Sequence, residues 1–387
     1  MSAKHPAAGA AYPADTQHRA RRRALRALAA LLMPLPVRAA DGPRAAAEGP
    51  SLGAPRYAQV VPGHTLRFPA DEGSHPDFRT EWWYVTGWLE AQGRAIGFQI
   101  TFFRTRPDID ARNASAFAPH QIIIAHAAIS DAQRGRLLHD QHVARAAFGL
   151  AGAGLGRTQV WIDDWSLMQD GADYRARIPA REFSLDLILR RTQLPLLQGE
   201  AGASRKGPRP EAASYYYSIP HLAVSGTLVE SARRHAVTGS AWLDHEWSSS
   251  YMDEGATGWD WAGINLDDGG ALMVFRMRGA EGQRMWAGGA YRTRSGIRRA
   301  FAPEDVGFEP LRTWRSPRTG ATYPVAWRIH AAGLDLTLEP LMNDQESDTR
   351  ATVGTVYWEG AVRAVSAGKP VGQGYLELTG YLQPLRL

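Results

Sequence analysis

The sequence predicts an all-β protein, and three observations support this prediction. Apolar and polar residues alternate in many short segments, such as REFSLDLILR and HLAVSGTLVE, as they do in strands with one buried face. Gly, Asp and Asn separate these segments, as expected for turns. Long amphipathic helical windows are nearly absent. Many short strands at regular spacing indicate a β-sandwich or up-and-down β-barrels.

The first 39 residues have the layout of an export signal. A basic run, HRARRR, precedes ALRALAALLMPLPV and then Ala39 and Ala40, and we expect cleavage after Ala39. The apolar part contains Arg26 and falls short of the roughly 20 apolar residues of a membrane-spanning helix. We therefore expect a periplasmic or secreted protein, with a Gly, Ala and Pro-rich linker over residues 40–55. A leader without a targeting role is the alternative.

Composition excludes several classes of function. The chain carries a net charge of +5, but seven Lys and Arg against one Asp give the first 39 residues +6, which leaves −1 for the rest. A basic nucleic-acid-binding face is therefore not expected. The absence of cysteine excludes disulfide-linked partners and thiolate chemistry. HExxH and nucleotide-binding motifs are missing, and His120 and His126 lack a third ligand, so no metal or cofactor is expected.

Two segments are weakly alike, Gly87–Arg104 and Gly263–Arg278. Each has the pattern of a hairpin that is entered from a Trp-rich strand, turns at a Gly and ends in Arg. A duplicated β unit explains this, and chance similarity of two hairpins is the alternative. With the seam placed in SARRHAVTG, the predicted domains are residues 56–232 and 233–387.

Carboxylates beside tryptophans mark the candidate site. Glu81 is followed by Trp82, Trp83 and Tyr84, and because neighbours on a strand face opposite ways, Glu81 shares a face with Trp83. A buried carboxylate needs a cation or becomes neutral. Glu81 is therefore either one half of an ion pair, with an arginine such as Arg104, Arg79 or Arg106, or a proton-donating acid of raised pKa in an aromatic pocket.

The run Asp244–Trp247 places His245 and Trp247 on one face. A His beside an indole suits proton transfer to a weakly basic substrate, and a structural His is the alternative. The candidate catalytic residues are therefore His245, Glu81 and Asp260. The candidate ligand-binding residues are the aromatic residues around these three: Trp82, Trp83, Tyr84, Trp247, Trp259 and Trp261.

The strings EWWYVTG and LDHEWSS, together with YYYSIPHLAVSGTL and GYLELTGYL, resemble the exported lipocalin-like family that includes AttH and the carotenoid 1,2-hydratases (hydroxyneurosporene synthases). The resemblance covers residues 56–387. It implies two lipocalin-like antiparallel β-barrel domains packed together. A cavity for an apolar ligand is then expected at a barrel mouth or between the barrels, with Glu81 and either His245 or Asp260 from the other domain on its wall.

The resemblance implies two alternative functions. The first is a periplasmic, AttH-like protein that binds a hydrophobic small molecule or lipid and serves an envelope transporter. The second is a hydratase, a lyase that adds water to an isoprenoid or carotenoid double bond, since His245 and Trp247 match the hydratases' His-x-Trp pair. The hydratases also place an acid on the next strand, where Leu272 to Arg276 has none, so Asp260 or Glu81 would have to replace it. A glycan-binding or glycan-cleaving module with paired carboxylates is a third possibility.

Overall fold

The computed structural model describes residues 57–110, 113–331 and 333–385. The predicted export signal and linker lie outside these residues. The described chain is built of β-strands joined by turns, with two short 3-10 helices at Ala70–Glu72 and Pro303–Asp305. Within it, no helix is long and apolar enough to cross a membrane. The predicted all-β class is confirmed.

The first sheet, sheet A, contains thirteen strands. They are β1 (Thr80–Ala91), β2 (Arg94–Thr105), β3 (Ile122–Asp131), β4 (Leu138–Arg145), β5 (Ala151–Ala153), β6 (Gln159–Ile162), β7 (Trp165–Asp170), β8 (Asp173–Pro179), β9 (Phe183–Arg190), β10 (Leu196–Leu197), β11 (Ala203–Arg205), β12 (Ala213–Glu230) and β13 (Arg233–Ser250). The second sheet, sheet B, contains ten. They are β14 (Ala256–Leu266), β15 (Ala271–Gly279), β16 (Arg284–Arg292), β17 (Arg298–Phe301), β18 (Val306–Arg315), β19 (Thr322–Ala331), β20 (Leu334–Pro340), β21 (Glu346–Asp348), β22 (Val356–Ser366) and β23 (Lys369–Leu378).

The two sheets share one antiparallel topology. Sheet A has the order β4-β3-β2-β1-β13-β12-β9-β8-β7-β6-β5, and sheet B has the order β17-β16-β15-β14-β23-β22-β20-β19-β18. In each sheet the first strand therefore pairs with both the second strand and the last. Sheet A curls into a nearly closed barrel, since β3 and β4 contact β5 and β6 at its two ends.

The two similar segments form hairpins at matching places in this topology. Gly87–Arg104 covers the end of β1, the turn and most of β2, and Gly263–Arg278 covers the end of β14, the turn and most of β15. In the first, Gln92 and Gly93 have φ of 54° and 79°, the left-handed conformations of a two-residue hairpin turn. The matching topology agrees with a duplicated β unit.

The chain passes from sheet A to sheet B between Ser250 and Ala256. The position predicted for the domain boundary, between residues 232 and 233, falls at the tip of the β12–β13 hairpin. Both strands of this hairpin belong to sheet A. SARRHAVTG supplies the turn of this hairpin, because Ser231 and Ala232 adopt positive φ. Turn-forming composition is the same inside a domain as between domains.

Buried apolar side chains form three clusters. One fills the interior of sheet A and includes Trp83 and Trp247, and another fills the interior of sheet B and includes Trp327 and Trp358. The third lies between the sheets and is rich in aromatic residues: Tyr84, Trp88, Tyr216, Trp242, Tyr251, Trp261, Phe275 and Tyr375. Both faces of β1 are therefore buried, one in the interior of sheet A and the other between the two sheets. Candidate functional residues lie on each face.

Candidate functional site

The pairing of β1 with β13 assigns the candidate residues to two different faces of sheet A. Glu81 lies opposite Trp247 and Trp83 opposite His245, whereas Tyr84 lies opposite Asp244. Because side chains alternate along a strand, the first two pairs share the inner face and the third shares the outer face. The inner face carries a polar network and the outer face borders a cavity.

Glu81 is the centre of the inner network and is fully buried. One carboxylate oxygen accepts hydrogen bonds from His75 Nδ1 at 2.8 Å and His245 Nε2 at 2.9 Å. The other accepts from Ser74 Oγ at 3.0 Å, the His75 backbone N–H at 2.9 Å and Arg104 Nε at 2.7 Å. Five donors therefore converge on one carboxylate, and together they fix its position.

Aromatic rings hold the two imidazoles in place. His245 stacks on Trp83 with ring centroids 4.7 Å apart, and His75 stacks on Trp247 at 3.7 Å. The Tyr217 hydroxyl lies 3.0 Å from His245 Nδ1. Since Nε2 of His245 donates to Glu81, Nδ1 is the acceptor from Tyr217 in the neutral ring.

The electrostatics of this network oppose acid catalysis by Glu81 or His245. Burial alone would raise the pKa of Glu81, but hydrogen bonds from His245 and His75 and the charge of Arg104 hold it well below the usual value. Burial lowers the pKa of His245 to about 4, although Glu81 opposes this shift. At neutral pH Glu81 is thus ionised and His245 uncharged. The pKa of Glu81 is therefore lowered and not raised, and Glu81 forms the ion pair with Arg104 that was the alternative interpretation.

His75, Glu81 and His245 are also the residues that could hold a metal ion. One ligand atom from each lies within 4.8 Å of the other two. A metal ion there would have to displace the N–H protons that both imidazoles donate to Glu81. It would also lie close to the guanidinium of Arg104, whose Nε is 2.7 Å from a Glu81 carboxylate oxygen. The network is complete as a set of hydrogen bonds, and the nearby cation opposes a metal.

Asp260 lies on β14 in the interior of sheet B and is fully buried. Its carboxylate accepts from Arg276 Nε at 2.6 Å, Arg278 Nε at 3.1 Å and the Tyr381 hydroxyl at 2.9 Å. Arg276 is its neighbour across the β14–β15 pair, as Arg104 is the neighbour of Glu81 across β1–β2. Each sheet thus repeats an acid and arginine pair at the start of its first hairpin.

Glu81 meets His245, as predicted, but the two residues lie within one sheet rather than in two domains, and Asp260 does not join them. Glu81 and His245 belong to the same sheet, and Asp260 is enclosed in the other one. The strand pattern could not show this, because pairing between distant strands decides which residues meet. Residues 79–82 still contribute to the wall of the outer cavity.

A cavity of about 300 Å³ lies between sheets A and B. Four of the six predicted aromatic residues line it, namely Trp82, Tyr84, Trp259 and Trp261, whereas Trp83 and Trp247 surround His245 on the inner face. The rings contact one another: Trp82 and Tyr251 are 4.9 Å apart, and Tyr84 and Trp261 are 5.4 Å apart. Phe103, Tyr216, Tyr251 and Tyr357 complete the aromatic lining.

Besides Glu81, whose carboxylate belongs to the inner network, four acidic residues line the same cavity: Asp244, Glu246, Glu359 and Glu377. Burial raises the pKa of Asp244 to about 7, although hydrogen bonds from Ser218, Tyr216 and Trp242 lower it. Burial also raises the pKa of Glu246, and Lys206 at 2.8 Å opposes the rise. The cavity therefore holds the acids of raised pKa that the sequence analysis sought at Glu81.

Glu359 and Glu377 are directly opposite each other on β22 and β23. Burial and the charge of Glu377 raise the pKa of Glu359 well above its usual value, and burial raises that of Glu377 as well. The pair consequently retains a proton near neutral pH. Sequence analysis missed Glu377, although an acid between two leucines of an apolar strand, in the string YLELTG, was an available signal.

Comparisons with known proteins give one family and several related structures. The AttH-like family model matches residues 59–381. The crystal structure of a candidate AttH from Nitrosomonas europaea is 54% identical, covers 84% of this chain and 99% of its own, and superposes with a TM-score of 0.79. The search of curated protein sequences found no match.

Two more distant structures share the fold alone. Kievitone hydratase from Nectria haematococca is 13% identical, with a TM-score of 0.61 over 84% of this chain and 97% of its own. CghA, solved with Sch210972, is 14% identical, with a TM-score of 0.50 over 85% and 97% of the two chains.

Proposed function

Because this chain belongs to the AttH-like family, we propose that it is a periplasmic protein that binds a hydrophobic small molecule or lipid in the cavity between its two sheets. The cavity is the observation that carries the proposal. Its volume of about 300 Å³ and its wall of Trp and Tyr rings match small-ligand sites, which occupy roughly 300–1,000 Å³ and are largely apolar. The export signal predicted from the sequence supports this location. An envelope transporter as a partner stays a prediction.

The position of the cavity fits a binding role. Sheets A and B each have a buried apolar interior of their own, so the rings between the sheets are not needed to complete either one. Contacts outside the cavity wall, such as the hydrogen bond from Trp88 Nε1 to the Gly374 carbonyl at 3.0 Å, hold the sheets together. A guest can therefore occupy the space without disrupting either interior.

Mass spectrometry of small molecules that copurify with the mature protein tests this proposal. The identified compound is then titrated into wild type, Trp82→Leu and Trp161→Leu, with intrinsic fluorescence as the readout. Trp82 lines the cavity, whereas Trp161 lies on β6 of sheet A with its indole N–H bonded to the Gly149 carbonyl. We expect Trp82→Leu to weaken binding at least tenfold and Trp161→Leu to leave it unchanged. Equal effects of the two substitutions would place the ligand elsewhere.

A hydratase is the second candidate function, and the Glu359 and Glu377 pair favours it. A protonated carboxyl of the pair can transfer its proton to an alkene carbon, the other alkene carbon becomes a cation facing aromatic rings, and water adds to that cation. The proton that the water loses returns to the carboxylate, so the site is regenerated. Kievitone hydratase, as its name indicates, is a hydratase with this fold.

Isoprenoid alkenes incubated with wild type and with Glu377→Gln distinguish the two functions. A hydratase forms the alcohol, and Glu377→Gln lowers its turnover about 10²-fold or more. Glu81→Gln is compared at a temperature at which it remains folded, and it should retain turnover because its carboxylate is ionised and tied to Arg104. If wild type hydrates none of the alkenes, the binding function alone stands.

A further inference from the structure

We propose that the ligand of the cavity between the sheets is an organic cation, with an ammonium group beside Glu359 and Glu377 and an apolar body against Trp82, Trp259 and Trp261. This inference rests on the proposed function and specifies the chemical class of the ligand. Three features of the cavity support it: unbalanced acids, aromatic faces, and the spacing of the acids.

The wall of the cavity contains more acidic than basic residues: Glu81, Asp244, Glu246, Glu359 and Glu377 against Arg79 and Arg104. Lys206 pairs with Glu246 at 2.8 Å, and Arg104 pairs with Glu81 at 2.7 Å. Within the described ranges, no ion pair joins Glu359 or Glu377 to a Lys, Arg or His. Two like charges directly opposite on neighbouring strands repel each other, and burial strengthens the repulsion. A cationic guest would supply the charge that these two side chains lack.

The aromatic wall suits a cation as well as an apolar group. Trp82, Tyr251 and Trp259 form a continuous row, with centroids 4.9 Å and 5.4 Å apart. Ring faces attract ammonium groups, and quaternary ammonium ligands are recognised by such aromatic cages. The Tyr84 hydroxyl is a further polar group at this wall. The residue is 5% exposed, and its hydroxyl oxygen makes no hydrogen bond of normal geometry. The hydroxyl nevertheless lies close enough to Glu359 to lower the pKa of that carboxyl.

The spacing of the acids favours an organic cation over a metal ion. In the part of the chain that the structure describes, His75, Glu81 and His245 are the one group whose three ligand atoms lie within 4.8 Å of one another. Asp244, Glu246, Glu359 and Glu377 belong to no such group among the described residues. A metal ion bound by oxygen needs several ligands at about 2–2.6 Å, whereas a substituted ammonium is wide enough to contact carboxyls that are farther apart.

Binding of a cation at this pair must depend on pH. The titratable and polar groups that interact with Glu359 and Glu377 come from every neighbouring element: Tyr84 on β1, Asp244 and Glu246 on β13, Tyr251 after β13, Trp259 and Asp260 on β14, Tyr357 on β22 and Tyr375 on β23. Arg79 is a basic residue of the cavity wall. Lys206 is engaged with Glu246. Since a cation stabilises the ionised form of the pair, binding releases a proton, and affinity rises with pH until both carboxyls are ionised without ligand.

Calorimetry with two probes of equal shape tests the inference. Benzyltrimethylammonium carries the charge, and neopentylbenzene replaces the nitrogen with carbon. At pH 8.5 we expect the cation to bind at least tenfold more tightly than the hydrocarbon, and at pH 6 we expect this ratio to fall severalfold. Cation binding should also release protons, which appear as a dependence of the heat on the ionisation enthalpy of the buffer.

Three variants complete the test. Glu359→Gln and Glu377→Gln should bind the two probes with equal affinity, and thermal unfolding should show that both remain folded because the repulsion is removed. Glu182→Gln should match wild type, because Glu182 is 59% exposed in the turn between β8 and β9 and lies outside the cavity wall. Equal affinities for both probes in wild type would overturn the cation inference and leave a hydrophobic site. If neither probe binds, the inference fails together with the cavity as the binding site for small ligands.

Discussion

Replacement of Glu81 with Gln should destabilise the protein by about 3–5 kcal/mol, the usual result of removing one partner of a buried ion pair. Arg104 is 2% exposed and would keep only uncharged partners: Gln121 and the carbonyls of His75 and Phe78. The substitution conserves volume, so no cavity adds to this free energy. The new amide N–H₂ group would also face donors, because both carboxylate oxygens of Glu81 accept hydrogen bonds.

The assay is equilibrium unfolding in urea at pH 7 for wild type, Glu81→Gln, Arg104→Met and the double variant. If the charges are coupled as the 2.7 Å contact indicates, the double variant should lose about 2 kcal/mol less than the sum of the single variants. Glu182→Gln is the control, because its contact with Arg136 is 3.9 Å long and exposed; we expect a change of no more than about 0.5 kcal/mol.

The pH dependence of the same variants gives an independent check. The folded-state pKa of Glu81 is lowered, so its contribution to stability is present above the unfolded pKa of about 4.3 and is lost as pH falls through the folded value. Wild type should therefore lose more stability than Glu81→Gln on acidification below about pH 4. A loss below about 1 kcal/mol at pH 7 for Glu81→Gln, together with additive single variants, would refute the role assigned to this pair.

Three further predictions follow from the same geometry. Asp260→Asn should lower the free energy of unfolding by about 3–5 kcal/mol in urea, because it leaves Arg276 and Arg278 facing a neutral group. Asp244, whose pKa is raised to about 7, should contribute a fall in stability of no more than about 4 kcal/mol as pH rises from about 4 to 7. Unfolding measured at pH 5 and pH 8 should therefore show a smaller decrease for Asp244→Asn than for wild type, and an equal decrease would contradict the shift. Gly374→Ala should lower the melting temperature by several degrees, because its Cβ would lie 1.9 Å from the Gly263 carbonyl oxygen; an unchanged melting temperature would show that the strands can separate at this point.

Sequence reasoning predicted which side chains share a face of a strand. Glu81 and Trp83 do so, as do His245 and Trp247. It could not predict which face is the interior of sheet A, because Trp82 and Tyr84 make the other face of β1 equally apolar and that face is buried against sheet B. Amphipathic alternation identifies an interior only where the opposite face meets water.

Sequence reasoning also could not predict contacts between residues that are distant in sequence. Arg104 was one of three arginines proposed for Glu81, and only the β1–β2 register places it opposite that residue. Ser74 and His75 lie before β1 and carry no strand pattern, although they supply three of the five donors to Glu81. Glu359 and Glu377 meet only because β22 and β23 pair in one register.

The placement of the cavity on the outer faces of two self-contained sheets has a consequence for how this architecture can evolve. A substitution at Trp82 or Trp259 changes what the protein can accommodate, while the side chains that hold each sheet together point the other way. Substitutions of cavity-lining residues can therefore change which ligand is bound while they lower the stability of the fold only slightly. Relatives with the same architecture can diverge in chemistry while the buried acid and arginine pairs stay in place.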